Sequence, residues 1–382
     1  MRSKKKLILV ILLVVLFLSQ IPFACRRYKL RRLSAAIQQL QSQRIQQQAN
    51  GFNEYQGVVH VHSFLGGHSA GTFAEIISAA QANHLQFVIM TEHTEKDFDT
   101  AAMTLQGTHG GVLFINGNEV STENGDRMLV LPGEVSIVAY PEEFKNWNTA
   151  RINGVEVYNV FTNARRINPV VAFFDVLWSK RAYPELMFAL YLQRPDENLK
   201  KWDQALTRAR LTATGGNDAH ANIGVSLKDS SGKTLLGIQL DPYATSFRLV
   251  RLHVLIEQGK ALDATSLMEA VRAGHCFIGF DFLGDASGFG FEAENGKIQG
   301  DEISLTPDTR LRVRSPVPAR IVIFKNGSVW TDESGITSKE VAITERGVYR
   351  AEVYLFGNLP WIISNPVYVT TDNTDRSADI RR

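Results

Sequence analysis

Val58-Val59-His60-Val61-His62, then Thr72-Phe73-Ala74-Glu75, then Phe87-Val88-Ile89-Met90 running into Thr91-Glu92-His93: the fold of this chain turns on this stretch. The first five residues are β-branched or imidazole throughout and suit a strand, on which His60 and His62, two apart, share one face while Val59 and Val61 pack on the other. Thr72 and Glu75 have the spacing of a capping box. Phe73, Ile76, Ile77, Ala80 and Leu85 behind them form one apolar stripe, which predicts an amphipathic helix. Four apolar residues follow at once as a second strand. Strand, capped helix and strand make a βαβ unit, whose natural product is a parallel sheet or barrel with its ligands at the carboxyl ends of the strands.

Further strands are predicted at 112–115, 128–131, 135–139 and 155–157. Leu199, Trp202, Leu206 and Ala209 share a helical face, and Leu211-Thr212-Ala213-Thr214 reads as another strand, ending in Gly215-Gly216. Beyond about Gly284 the pattern becomes glycine-rich turns with β segments at 311–313, 320–324, 349–354 and 367–369, and no helix is needed. A small β-sandwich-like domain is expected over 286–370, with a disordered polar tail at 371–382.

Towards the N-terminus, Arg2, Lys4, Lys5 and Lys6 precede an apolar run at 7–25 broken only by Ser19 and Gln20, long enough as one helix to cross a bilayer. We read residues 1–25 as a single transmembrane anchor. A cleaved signal peptide is the second reading, and Pro22 and Phe23 lack the small side chains that processing or lipid modification at Cys25 would want. Arg26, Arg27, Lys29, Arg31 and Arg32 nearly balance the basic cluster ahead of the run, so the soluble part is placed outside the cytoplasm only by default. Residues 26–50, rich in Gln, Ala and Ser with Ile37, Leu40 and Ile45 on one side, suggest a stalk or a flexible polar tether.

Composition narrows the rest. The 382 residues are 44% apolar, enough for a sizeable core, and 41 basic against 39 acidic residues leave a net charge of +2 that gives no reason to expect a nucleic-acid partner. Two cysteines, Cys25 and Cys276, exclude a disulfide framework.

The chemistry is written at the strand ends. His60 and His62 end the first strand, His93 the next, Gly117-Asn118-Glu119 follows a third, and Gly216-Asn217-Asp218-Ala219-His220 ends a late one. Four strand ends carrying imidazole or carboxylate describe a site gathered at one mouth of an α/β barrel. The donor set has no thiolate and suits Zn, Mn or Fe in a catalytic role more than a structural zinc. Glu119, with two oxygens, could bridge two ions that together polarise water and a phosphoryl oxygen.

These motifs, His60-Val61-His62-Ser63, Thr91-Glu92-His93, Gly117-x-Glu119 and Gly216-Asn217-Asp218-Ala219-His220, resemble those of the polymerase and histidinol phosphatase (PHP) family of metal-dependent phosphoesterases. Gly154-Val155-Glu156-Val157-Tyr158-Asn159, Trp202-Asp203, Arg272-Ala273-Gly274 and Ser364-Asn365-Pro366-Val367-Tyr368-Val369 look like its carbaryl- and carbamate-hydrolase-like branch. The resemblance implies an α/β fold with a distorted (β/α)7 barrel over 51–285, carrying two or three divalent ions, Zn or Mn or Fe. It makes His60, His62, His93, Glu119, Asp218 and His220 metal ligands, with His68 in the following loop a further candidate. Glu92, in place of the usual Asp, would orient the ligands. Metal-bound hydroxide would then attack a small phosphoester substrate.

Two departures qualify this. Where relatives place a His shortly after the third-motif Glu, the chain reads Glu123-Asn124-Gly125-Asp126-Arg127-Met128, and where they place a His-Pro pair it reads Ala139-Tyr140-Pro141. Tyr140 could reach the site through its hydroxyl, though filling space is the expected role. His84, His109, His253 and His275 are assigned surface or structural roles, and Arg165-Arg166 and Lys180-Arg181 are loop cations able to hold a phosphate. The readings that follow are a phosphoesterase first, a carbamate or carboxylic ester hydrolase second, then a non-catalytic membrane-tethered metal-binding module with a degenerate site, and an envelope interaction protein in which the β domain binds.

Overall fold

The computed structural model describes residues 2–45, 51–148, 151–165, 167–222, 224–228, 234–239 and 241–371. The glutamines at 46–48, Arg166 and the tail from 372 lie outside them. Among the described residues the chain is mixed α/β, with one long apolar N-terminal helix and three sheets of thirteen, six and two strands.

The N-terminal helix runs Arg2–Gln41 without a break, passing through Pro22. Its first half is long and apolar enough to cross a membrane, and residues 7–18 carry large apolar side chains that are about half exposed. Its second half lies along the folded body. Leu30 is fully buried, and Leu33, Ile37 and Leu40 pack against the main core at the three- and four-residue spacing that puts them on one helical face. Where the composition suggests a stalk or tether, the structure has a helix laid on protein, because a thin apolar stripe is enough when a core is there to receive it.

The first strand, Phe52–Val61, pairs in parallel with Phe87–Met90 and antiparallel with Arg251–Glu257. The helix between, Phe73–Ala82, starts with the capping box as expected: Thr72 accepts from the Glu75 N–H and Glu75 from the Thr72 N–H. Ile76, Ala79 and Ala80 are its buried face. The six-stranded sheet runs in the order 212–216, 154–159, 135–139, 127–131, 118–121, 92–93. Both ends of it meet the first strand. Thr91 donates to the Val61 carbonyl, while the Asn217 and Ala219 N–H groups donate to the Val59 and His60 carbonyls.

The C-terminal strands, from Gly290–Ala293 to Val367–Thr370, continue the thirteen-stranded sheet, since Leu359–Ser364 pairs with Cys276–Gly279. Two buried polar devices join them to the rest. Arg350 donates to both carboxylate oxygens of Asp203 at 2.7 and 2.8 Å, while Glu352 takes Arg350 and Arg194. Burial alone would raise Glu352, but the charges of Arg350 and Arg194 hold it down at about 2. Such a group stabilises the fold above the ordinary carboxylate range and stops doing so only as the pH falls towards 2.

The second device is Asn365. Its Oδ1 accepts from the Ala213 N–H at 2.7 Å, and its Nδ2 donates to the Ala213 and Cys276 carbonyls at 3.1 and 2.9 Å. The side chain thus does the work of a strand residue between 212–216 and 276–279. Asn365→Ala would strand buried backbone groups at about 1–3 kcal/mol each. We expect an apparent loss of ~2–4 kcal/mol in thermal unfolding of the solubilised chain, and an unchanged midpoint would show that these strands are held by other means.

Candidate metal centre

His60 is where the local structure departs from a plain strand. In the ladder with the second strand Val59 faces Ile89 and Val61 faces Met90, so His60 is an inserted residue, and its φ of 68° is left-handed. The expected two-faced alternation fails here. Val59 enters the main core, whereas Val58 and Val61 pack with Ile76, Ala79 and Met90 against the first βα helix. The bulge keeps His60 and His62 on the site side while Val59 and Val61 serve two different cores.

Tyr140, Asp218 and Ala221 are left-handed too, with φ of 52°, 48° and 50°. Together with His60 they are half of the eight non-glycine residues of that kind among the described residues. Such conformations cost roughly 1–3 kcal/mol each, and persist where the surroundings over-determine them.

Six of the seven expected ligands converge. His60 Nε2 lies 3.4 Å from Glu119 Oε2 and 3.5 Å from Asp218 Oδ1, and His62 Nε2 lies 3.6 and 3.5 Å from the same two oxygens. His93 Nδ1 is 3.4 Å from Glu119 Oε2, and His93 and His220 face each other through their Nε2 atoms at 3.5 Å. The His62 ring stacks between them, with centroids 4.5 and 4.1 Å away. Two groups could hold a metal ion: His62, His93 and His220, and His60, His62 and Glu119. His68 is exposed at the rim, its ring edge-on to His93 at 5.0 Å, and belongs to neither group.

A cluster able to hold a cation should contain buried donor atoms without hydrogen bonds, and this one does. Among the described residues, neither ring nitrogen of buried His62 has a hydrogen-bond partner, and Asp218 Oδ1 has none. Burial pushes His62 down to about 3, assisted by the charges of His220 and His60, and pushes His93 down to about 4. Burial opposes ionisation of Glu119 and Asp218, yet the neighbouring imidazoles outweigh it, holding Glu119 at about 2 and Asp218 well below the ordinary range. At neutral pH Glu119 and Asp218 are therefore ionised and His62 and His93 unprotonated, the states that ligate metal.

Further buried groups back this cluster. Glu156, fully buried, takes His60 Nδ1 at 2.8 Å. Burial lowers His60, but attraction to Glu156 and Asp218 wins and raises it well above its ordinary value, and Glu156 is raised as well, so the pair keeps a proton between them. With Nδ1 so engaged, Nε2 is the nitrogen aimed at the site. Asn159 donates to Glu156 Oε2 at 2.9 Å. Both lie in the 154–159 stretch that carries part of the family resemblance, which assigns neither an individual role. The available signal was a carboxylate in the middle of a strand buried at all six positions, which demands a partner. Gly216 makes room for it, since a Cβ there would sit 1.5 Å from Glu156 Oε1.

Tyr140 does more than fill space. Its hydroxyl donates to Asp218 Oδ2 at 2.7 Å, leaving Oδ1 turned to His60 and His62. Glu92 is fully buried, accepting from the Ser63 N–H at 2.9 Å and the Thr104 hydroxyl at 2.7 Å, and so ties the end of the first strand to the second. Arg127 was not expected. Its guanidinium donates to Glu119 Oε1 at 2.9 Å. Of the remaining histidines, His253 is fully buried between Glu54 and Asp281, while His84 and His109 are at the surface and His275 pairs with Asp301. Arg165 pairs with Glu143 on the surface.

Comparison of the chain with protein-family models and with curated proteins finds no match.

Glu156→Gln keeps the shape of the side chain and removes its charge. Loss of such a partner behind a ligating His typically lowers metal affinity by about 10–100-fold. Competition with a chromogenic chelator should read a loss of that order, and unchanged affinity would remove Glu156 from the site.

Proposed function

We propose that this chain is a metal-dependent hydrolase of the PHP type, acting on phosphate esters and tethered to a membrane by its N-terminal helix. The observation that carries this reading is His62: an imidazole fully buried with both nitrogens free of hydrogen bonds, centred among three other imidazoles and two ionised carboxylates. We read the ring of contacts from 52–61 through 87–93, 112–121, 127–131, 135–139 and 154–159 to 212–220 and back to Val59 as one distorted (β/α)7 barrel. In the same reading 290–370 is a β-sandwich-like domain added to its flank. The ligands then lie at the carboxyl ends of the strands, where barrel enzymes keep their chemistry.

A bound divalent ion such as Zn, Mn or Fe would acidify water and neutralise charge on a phosphoryl oxygen. The protein's own groups supply the rest. His60, His62, His93, Glu119, Asp218 and His220 hold the cation, Glu156 and Tyr140 aim His60 and Asp218, and Arg127 offers its outer N–H groups to an anionic substrate. Carbamate and carboxylic esters are the other substrate classes this machinery could hydrolyse.

The test uses the full-length chain in detergent, because Leu30, Leu33, Ile37 and Leu40 belong to the packed body. We expect it to purify with transition metal and to hydrolyse p-nitrophenyl phosphate, with His62→Ala losing the metal and activity falling by ~10³-fold or more. Retained metal in that variant would refute the assignment.

One observation favours a second reading, the non-catalytic metal-binding module. Arg127 occupies Glu119 Oε1, so this carboxylate is not free to bridge two ions. We therefore expect elemental analysis to find about one ion per chain, and Arg127→Ala to admit a second. Full occupancy with no turnover of any of the three ester classes would decide for the module, and two or more ions in the unaltered chain would show that Arg127 yields to metal.

A further inference from the structure

Helix Pro169–Ser179, Pro-Val-Val-Ala-Phe-Phe-Asp-Val-Leu-Trp-Ser, is built inside out. Asn168 caps it by accepting from the Val170 and Val171 N–H groups, and Pro169 takes the first turn, so its start is well defined. Its one charged residue, Asp175, is fully buried, whereas Val170, Phe173 and Leu177 are 63%, 58% and 68% exposed. These three are spaced by three and four and so form one continuous outward stripe.

What holds the helix in place is the N-terminal helix. Arg26 donates to both oxygens of Asp175 at 2.8 and 2.6 Å, the Phe23 and Phe174 rings lie 4.9 Å apart, Trp178 Nε1 donates to Gln20 at 3.0 Å, and Arg27 reaches the Trp178 carbonyl. All of these contacts fall at residues 20–27. The apolar run at 7–25 is about 28 Å long as a helix, close to the thickness of a bilayer core. The outward stripe therefore lies beside the point where that run leaves the hydrocarbon. Exposed Lys29, Arg31, Arg32 and Arg181 stand next to it in the chain, where anionic headgroups would meet them.

We infer that helix Pro169–Ser179 is a second membrane contact, an interfacial helix that inserts Val170, Phe173 and Leu177 into the leaflet from which the N-terminal helix emerges. The occupant of the stripe is lipid, because the protein element it adjoins is the membrane-length helix itself. The inference rests on reading 7–25 as a span and is independent of the hydrolase assignment. It makes the folded body lie on the bilayer surface, its orientation set by two helices clamped through Arg26 and Asp175.

The test is site-directed spin labelling of the full-length chain in vesicles of phosphatidylcholine and phosphatidylglycerol. Single cysteines replace Leu12, Phe173 or Val329 in a Cys25→Ser background, Cys276 being buried. All three positions are exposed, so a label at each stands at the surface. Val329 is the aqueous reference, as the C-terminal strands approach the N-terminal helix near Ile45, beyond its far end. We expect the label at 173 to lose accessibility to a water-soluble nickel chelate and gain it to oxygen, as the label at 12 does, while the label at 329 stays open to the chelate. A protected label at 12 with an aqueous label at 173 would overturn this inference and leave the anchor standing. An aqueous label at 12 would overturn both. Dipolar broadening between labels at 173 that disappears on dilution with unlabelled chain would show that a second copy covers the stripe, and would also overturn it.

Discussion

His60 is held from both ends: Glu156 takes Nδ1, and Glu119 and Asp218 approach Nε2. The rest of the site depends on that arrangement, and several costly local features exist to permit it. The strand must bulge and turn left-handed at His60, Asp218 must do the same on the facing segment, and position 216 must carry no side chain. Backbone hydrogen bonds between Val59, His60, His62 and the 217–219 segment over-determine these conformations, which is why the strain is tolerated.

The charge balance of the site follows from burial. Six imidazole and carboxylate groups in a largely buried cluster could not all remain in their solution states: His62 and His93 lose affinity for protons while Glu119 and Asp218 keep their charge. Arg127 belongs to this balance. Its guanidinium neutralises the outer oxygen of Glu119 from a half-exposed position.

The N-terminal helix is part of the same molecule in a strict sense. Its second half contributes Leu30 to the main core, and Arg44 reaches the carbonyls of Asp285 and Ser287 near the start of the C-terminal strands. The α/β body, the C-terminal strands and the membrane-length segment are thus locked together by packing, with no free linker among the described residues between 26 and 45.

Local pattern in the sequence determined the capping box at Thr72 and Glu75, the strand and helix order of the first βα unit, the membrane-length apolar run, and the identity of six residues that meet in space. Those are properties of neighbours in the chain, and periodicity or a strand-end position reveals them. Only the tertiary structure decided that Glu156 backs His60, that Arg127 takes the outer oxygen of Glu119, that Tyr140 reaches Asp218 through its hydroxyl, and that Asn365 ties strands 212–216 and 276–279 together. The physical reason is the same in each case: the partners lie between 8 and 152 residues apart, and their pairing is set by the register of strands and the bulge at His60, which no run of consecutive residues encodes.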